Sequence, residues 1–421
     1  MKLRTFGMLE KTIRVCLLAG FAALLTQGLR AENWPAWRGP RGDGTSLETS
    51  VPVHWSAASN IVWKTAVPGV GHASPIVWGD RIFTVSALTD NQDRVLLSLD
   101  CSTGKILWQK TVVQSPLEPK HKLNSYASST PATDGLLVYA TFLDGNQIVV
   151  AAYDFAGNRK WLVRPGAFES KHGFCSSPIL FKDKVIVNGD HDGDSYLAAL
   201  ARADGKTLWK VPRENKTRSY CAPIIRDLGG RTQMILSGDK CVASYDPNDG
   251  SRHWVIDGPT EQFVASIVYN PKADMLFVTG GFPQLHILGI RPDGRGNVTQ
   301  THIAWRTNKG VSYVPSPMSI GDCFFVVSDT GVATCFEAAG GKILWQEKLG
   351  VGHHASLVSA NGLVYFLSDE GVMTVVPAGP DFKVVARNEI GEKCSASPAL
   401  SEGRMFLRGD THLYCIGSAG N

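Results

Sequence analysis

The chain of 421 residues carries 19% charged residues and a formal net charge of +4. Five basic residues (Lys2, Arg4, Lys11, Arg14, Arg30) and one acid (Glu10) fall within the first 31 positions. The remainder is near neutral, which argues against a nucleic-acid-binding surface of the basic-patch kind.

In chain order, the basic residues Lys2, Arg4, Lys11 and Arg14 precede an apolar run over residues 15–25. Eleven residues are too few to span a bilayer, so residues 1–31 are expected to be a secretory signal peptide. Cleavage near Ala31 would leave no transmembrane anchor. Cys16 sits at the start of the run, the wrong place for a lipoprotein cleavage site. Export would place the other eight cysteines where disulfides can form. None falls in a CxxC pair, which argues against cysteine metal ligation and a haem site. Residues 32–52 predict an irregular arm, packed over the rest by Trp34 and Trp37. Its glycine-rich stretch 38–44 follows no strand and opens no helix, so it does not read as a phosphate loop.

From residue 53 onward the chain repeats. Trp63, Trp108, Trp161, Trp209, Trp254, Trp305 and Trp345 are spaced by 45, 53, 48, 45, 51 and 40 residues. Most close similar phrases, such as KILW, KTLW and SRHW. A period of this length in β-rich sequence marks a propeller with one four-stranded blade per repeat. Each repeat opens on small residues, usually Ser-Pro or a relative: Ser74-Pro75, Thr130-Pro131, Ser177-Pro178, Ala222-Pro223, Ser316-Pro317, Ser397-Pro398. An apolar strand, an acidic turn and a glycine hairpin then lead into the Trp strand. Eight repeats begin near residues 74, 128, 176, 221, 265, 315, 354 and 395. The last lacks its fourth strand, which Asn60 to Lys64 can supply. Residues 53–421 are therefore expected to form a single all-β domain. It is an eight-bladed β-propeller of four-stranded antiparallel blades, the last closed by the N-terminal strand. The seventh repeat has Val384-Val385 where the others have Trp. The repeated Trp is read as packing between blades, with its indole N–H paired.

Ligands of propellers usually bind at the axial mouth. Counting back from each repeat start gives His72, Tyr126, Phe174, Tyr220, Phe263, Tyr313, His353 and His354, with His121, His172, Lys120 and Lys171 nearby. Such a ring could stack a planar ligand or grip a peptide side chain; it could equally plug the channel or cap blade junctions. Cys175 and Cys221 occupy nearly equivalent positions, where a disulfide is geometrically conceivable. Asp190, Asp192 and Asp194 alternate as in a calcium loop. No Glu stands at the twelfth position, and the segment falls where a hairpin should turn, so the turn is the favoured reading. No metal site and no Ser-His-Asp arrangement stands out.

The phrases LDCSTGKILW (99–108), LARADGKTLW (200–209) and YDPNDGSRHW (245–254) resemble PQQ-like propeller repeats. These are the repeats of quinoprotein alcohol dehydrogenases and of BamB-like propellers, and the resemblance covers nearly all of residues 53–417. It implies one of two roles. The first is an exported, monomeric, non-catalytic binding or scaffold protein of the bacterial cell envelope. It would act in the periplasm or outside the cell, taking a protein partner or small ligand at the rim or axial mouth. The second is a minimal PQQ-dependent oxidoreductase with PQQ and calcium at that mouth. The family's dehydrogenases carry adjacent cysteines and long insertions. This chain has neither, which favours the first role.

Overall fold

The computed structural model describes residues 32–417; the signal-peptide expectation lies outside the described residues. All described regular structure is β. Eight antiparallel sheets follow one another along the chain. Blade 1 shows the pattern: an inner strand Ile76–Trp78, then Arg81–Leu88, Asp93–Asp100 and an outer strand Ile106–Gln114. Blades 2 to 7 occupy residues 132–167, 179–212, 224–257, 268–307, 318–348 and 358–389. Blade 8 takes three strands from residues 399–416 and its outer strand from Ile61–Ala66, which pairs Trp63 with Cys415 and Thr65 with Leu413. This is the expected closure, and it leaves the ring no open blade edge there.

Burial explains why the middle strands are apolar runs. In Arg81–Leu88 and in Asp93–Asp100 the central residues are buried without alternation, because neighbouring blades cover both faces. The outer strand Ile106–Gln114 is mostly exposed.

The Trp-and-glycine phrase has one physical basis. Six of the seven tryptophans donate the indole N–H to a backbone carbonyl in the next blade's outer hairpin. The acceptors are Cys101, Phe155, Arg202, Pro247, Ala338 and Gly379, at 2.9 to 3.4 Å. For all of these but Trp345 the ring lies on the hairpin glycine of that next blade. At Gly104 (φ +70°) a Cβ would come within 2.5 Å of the Trp63 ring, and at Gly341 (φ +73°) within 2.6 Å of Trp305. Glycine is required there twice, by positive φ and by the preceding blade's indole.

Trp254 departs from this rule. An insertion in blade 5 adds a short strand, Gly296–Asn297, parallel to the outer strand of blade 4. It covers Trp254, which is fully buried and bonds Gln233 Oε1 of its own blade at 2.7 Å. Where blade 7 lacks a Trp, Trp55 is buried in the cluster shared by blades 7, 8 and 1. Its backbone N–H is held by Asn388 of blade 7's outer strand.

The inner strands are tied to one another by hydroxyls. Backbone N–H groups of Ser74, Thr130, Ser266, Ser316 and Ser356 donate to the side-chain oxygens of Thr130, Ser177, Ser316, Ser356 and Ser397, at 2.8 to 3.0 Å. The Ser or Thr that opens the inner strand thus forms a partial belt around the axis, five of these hydroxyls accepting from the preceding blade, while that of Ser74 has no partner. Ala222 has no hydroxyl and interrupts it.

Residues 32–50 cross the face where the inner strands end. Trp34 pairs with Val77 of blade 1, Pro35 accepts from Thr133 of blade 2, and Ser46 bonds Ser359 of blade 7. Glu48 accepts backbone N–H bonds from Glu402 and Gly403 of blade 8. Arg38, 2% exposed, drives its guanidinium between the carbonyls of Asp43, Pro317 and Leu357. Burial lowers its pKa to about 10.

One conceivable cysteine pairing is not formed, and residues 190–194 make the turn favoured from the sequence, between the strands Lys184–Gly189 and Tyr196–Ala201. Cys175 and Cys221 are free thiols, as are the other described cysteines; burial pushes both up to about 12. Residues 190–194 do not form a calcium loop. Each carboxylate there faces a base from the following loop: Asp190 with Arg213 at 2.8 Å, Asp192 with Arg218 at 2.7 Å and Asp194 with Lys216 at 2.7 Å.

Candidate functional site

A cavity of about 690 Å³ occupies the axis. All eight blades line it, and the arm supplies its floor: Trp37 lines the cavity, its indole 3.2 Å from Ser266 Oγ. The channel is therefore closed by the arm and opens at the opposite face, among the loops that lead from each outer strand to the next inner strand.

The wall follows a strict position rule. Two residues before the belt position stand His72, Ser128, Cys175, Tyr220, Val264, Val314, His354 and Ser395, one from each blade, and all eight line the cavity. Residues two apart on an extended chain face the same side. Four of the eight sequence-derived ring residues line the cavity: His72, Tyr220, Tyr313 and His354. The other four lie elsewhere. Phe174 and Phe263 stand three before the belt and turn into blade cores. His353, also three before, is 1% exposed with Nδ1 2.8 Å from Val351 O. Tyr126 lies under Arg94 and Lys120. Arg218, Gln262, Phe282 and Leu285 were not foreseen from the sequence; for Trp37 it indicates packing over the ring without a place in the cavity. Only the offset of two could have signalled part of this wall, since Phe282 and Leu285 come from a hairpin of blade 5.

Across blades 3 to 6 the wall is a hydrogen-bonded chain. The Tyr220 hydroxyl lies 3.1 Å from His172 Nδ1 and 2.9 Å from Ser170 Oγ. Gln262 donates through Nε2 to the Tyr313 hydroxyl at 2.5 Å. Its Oε1 is buried without a partner. His121 packs edge-on against His172, ring centres 5.6 Å apart.

Electrostatically the cavity is basic to neutral. Burial, with Arg408 nearby, lowers His72 to about 4. Burial, Arg218 and Lys171 also lower His172, so both imidazoles are neutral at pH 7. His354 is the reverse: burial opposes its charge, but the bond to Asp369 at 2.7 Å outweighs it and the pKa rises.

These residues do not fit a calcium-assisted quinone. Among the described residues no three His, Cys, Asp or Glu side chains converge on a point that could hold a metal ion. Asp329, the one carboxylate among the described lining residues, already accepts the backbone N–H groups of Tyr313 and Val314 at 2.9 and 3.1 Å. These bonds use one acceptor site on each of its two oxygens and fix its orientation toward the backbone.

The fold and its repeats define the class: an eight-bladed propeller built from PQQ-like repeats. The family model described as outer membrane protein assembly factor BamB matches residues 53–162, 127–274 and 293–379, and the chain belongs to that family. Among solved structures, BamB from Moraxella catarrhalis superposes with a TM-score of 0.62 at 13% identity, covering 85% of this chain and 99% of that one. A computationally designed protein, Ika8, gives 0.58 at 12% identity, with 89% and 99% covered. A europium-containing methanol dehydrogenase gives 0.56 at 12% identity, with 92% and 98% covered. At these identities the likeness is one of fold. The search of curated proteins returned no match.

Proposed function

We propose that this protein is an exported, non-catalytic binding protein of the bacterial cell envelope, which receives its ligand or partner at the open mouth of the axial cavity. The observation that carries this reading is the cavity itself, sealed at one end by the arm and walled by all eight blades. Its size is that of an ordinary ligand site, and its polar groups are placed for recognition. The basic n-region and apolar run of residues 1–25 support export. Both BamB and a methanol dehydrogenase share the fold, so the site has to decide between binding and oxidation. The engaged Asp329 and the missing metal donor set favour binding.

Titration of the purified protein with PQQ and calcium, with dye-coupled oxidation of alcohols and sugars, tests this. The expected outcome is no turnover with any of them. Calcium-dependent, saturable binding accompanied by turnover would overturn the non-catalytic reading.

A further inference from the structure

We infer that the mouth takes an acidic polypeptide segment with apolar flanks, its carboxylate directed at a basic crescent and its apolar side chains laid on a neighbouring lip. This rests on the binding reading of the same cavity and names the ligand class.

The crescent comes from three successive loops. Lys120, His121 and Lys122 lie on the loop before blade 2, Lys171 and His172 on the loop before blade 3, and Arg218 on the loop before blade 4. Of these, His121, Lys171, His172 and Arg218 line the cavity. Arg218 is held by Asp192, while Lys171 is exposed and forms no salt bridge among the described residues. The acids of these loops are largely engaged: Glu118 is buried against Arg94 at 2.6 Å and Glu214 pairs with Arg252 at 2.7 Å. Glu169 remains exposed. With His172 neutral and Arg218 paired, Lys120, Lys122 and Lys171 leave the rim of the cavity positively charged, which favours an anion.

The lip consists of Phe282 and Leu285 on the blade 5 hairpin, 51% and 49% exposed, with Leu123 at 45% on the loop before blade 2; all three line the cavity. A small anion held inside the cavity would leave this lip in water. A chain segment lying across the mouth covers it while lowering one side chain inward, the usual division between apolar anchor and polar contact. Gln262 supplies a third feature. The residue lines the cavity at 3% exposure, and its Oε1 is buried behind the wall with no partner, so a segment that shifts this amide on binding can offer it a backbone N–H. Leaving such an acceptor unmet is costly.

The test is fluorescence polarisation with short fluorescein-labelled peptides in which leucine and phenylalanine flank a pair of aspartates. The Asp peptide is expected to bind saturably. Its Asn analogue should bind at least about tenfold more weakly, and so should the Asp peptide to Lys171→Gln, as expected for a lost charge-assisted contact. Phe282→Ser should also weaken binding, and added salt should weaken it further. Arg218→Gln is a second charge variant; Lys171→Gln, at an exposed position, keeps the test readable if the Asp192 partner proves necessary for folding. Equal affinity for the Asp and Asn peptides overturns carboxylate recognition. Binding of benzene tricarboxylate but of no peptide, lost in Lys171→Gln, overturns the peptide and leaves the cavity as a small-anion site. Binding to phosphatidylglycerol vesicles with no peptide binding assigns the face to a membrane surface instead. No binding of any of these anionic probes overturns this inference alone; the binding reading it rests on is overturned by calcium-dependent turnover in the PQQ titration.

Discussion

Trp254→Ala is expected to lower the unfolding free energy by about 3–5 kcal/mol, the range for deleting a fully buried Trp. Trp254 is 0% exposed within the cluster that joins blades 4 and 5. Its indole N–H meets Gln233 Oε1 at 2.7 Å, and that oxygen also accepts the Ser244 hydroxyl. Alanine removes the ring, opens a cavity beneath the 291–302 insertion and strips one donor from a buried amide. The neighbouring repeat Trp serves as control. Trp209 is half-buried and its N–H bond to Pro247 is 3.3 Å, so Trp209→Ala should cost clearly less. Urea midpoints of the two variants check this; a Trp254→Ala loss below about 1 kcal/mol would contradict its packing role.

Asp190→Ala should cost a comparable amount, about 3–5 kcal/mol, for a different reason. Asp190 and Arg213 are buried, with side chains 0% and 1% exposed. The guanidinium reaches both carboxylate oxygens at 2.8 and 3.2 Å, the Gly238 carbonyl at 2.9 Å and the Tyr245 hydroxyl at 2.6 Å. Burial disfavours the charge on Arg213, but Asp190 outweighs it and holds the pKa well above the ordinary value. Removing Asp190 leaves a buried cation without an anion. Adding Arg213→Met to Asp190→Ala should recover much of the loss, because the stranded charge, not the missing bond, is the larger cost. The pair also anchors the start of the loop that carries Arg218 and Tyr220 to the mouth. Asp190→Ala should therefore weaken binding there as well as the fold.

Much of the architecture was legible because it depends on local chemistry repeated eight times. The Trp spacing, the hairpin glycines and the short final repeat each report one blade, so the blade count and the closure by residues 61–66 could be read directly. The Ser-Pro phrase was legible as a strand opening but not as a belt, since its hydroxyls act only between blades that lie about 40 to 56 residues apart. The site was half legible. His72, Tyr220 and His354 stand two before the belt and face the axis, whereas Phe174, Phe263 and His353 stand three before and turn away; Tyr313, also three before, lines the cavity nonetheless, and Tyr126, four before, does not. Choosing aromatics wherever they fell, instead of holding one offset, mixed the two faces. Trp37 could not be placed on the floor from sequence, because nothing local says which way an irregular arm crosses a ring. The Asp190–Arg213 pair was hidden for a similar reason: alternating acids look alike whether they hold an ion or a guanidinium.

Hydrogen exchange with and without the Asp-bearing peptide tests most directly whether the loop-face mouth is the place of binding. Binding at the mouth should slow backbone exchange in residues 168–178, 213–223 and 280–286, leaving the arm at 33–46 and the outer hairpins unchanged. Protection confined to the arm or to the outer hairpins would contradict it.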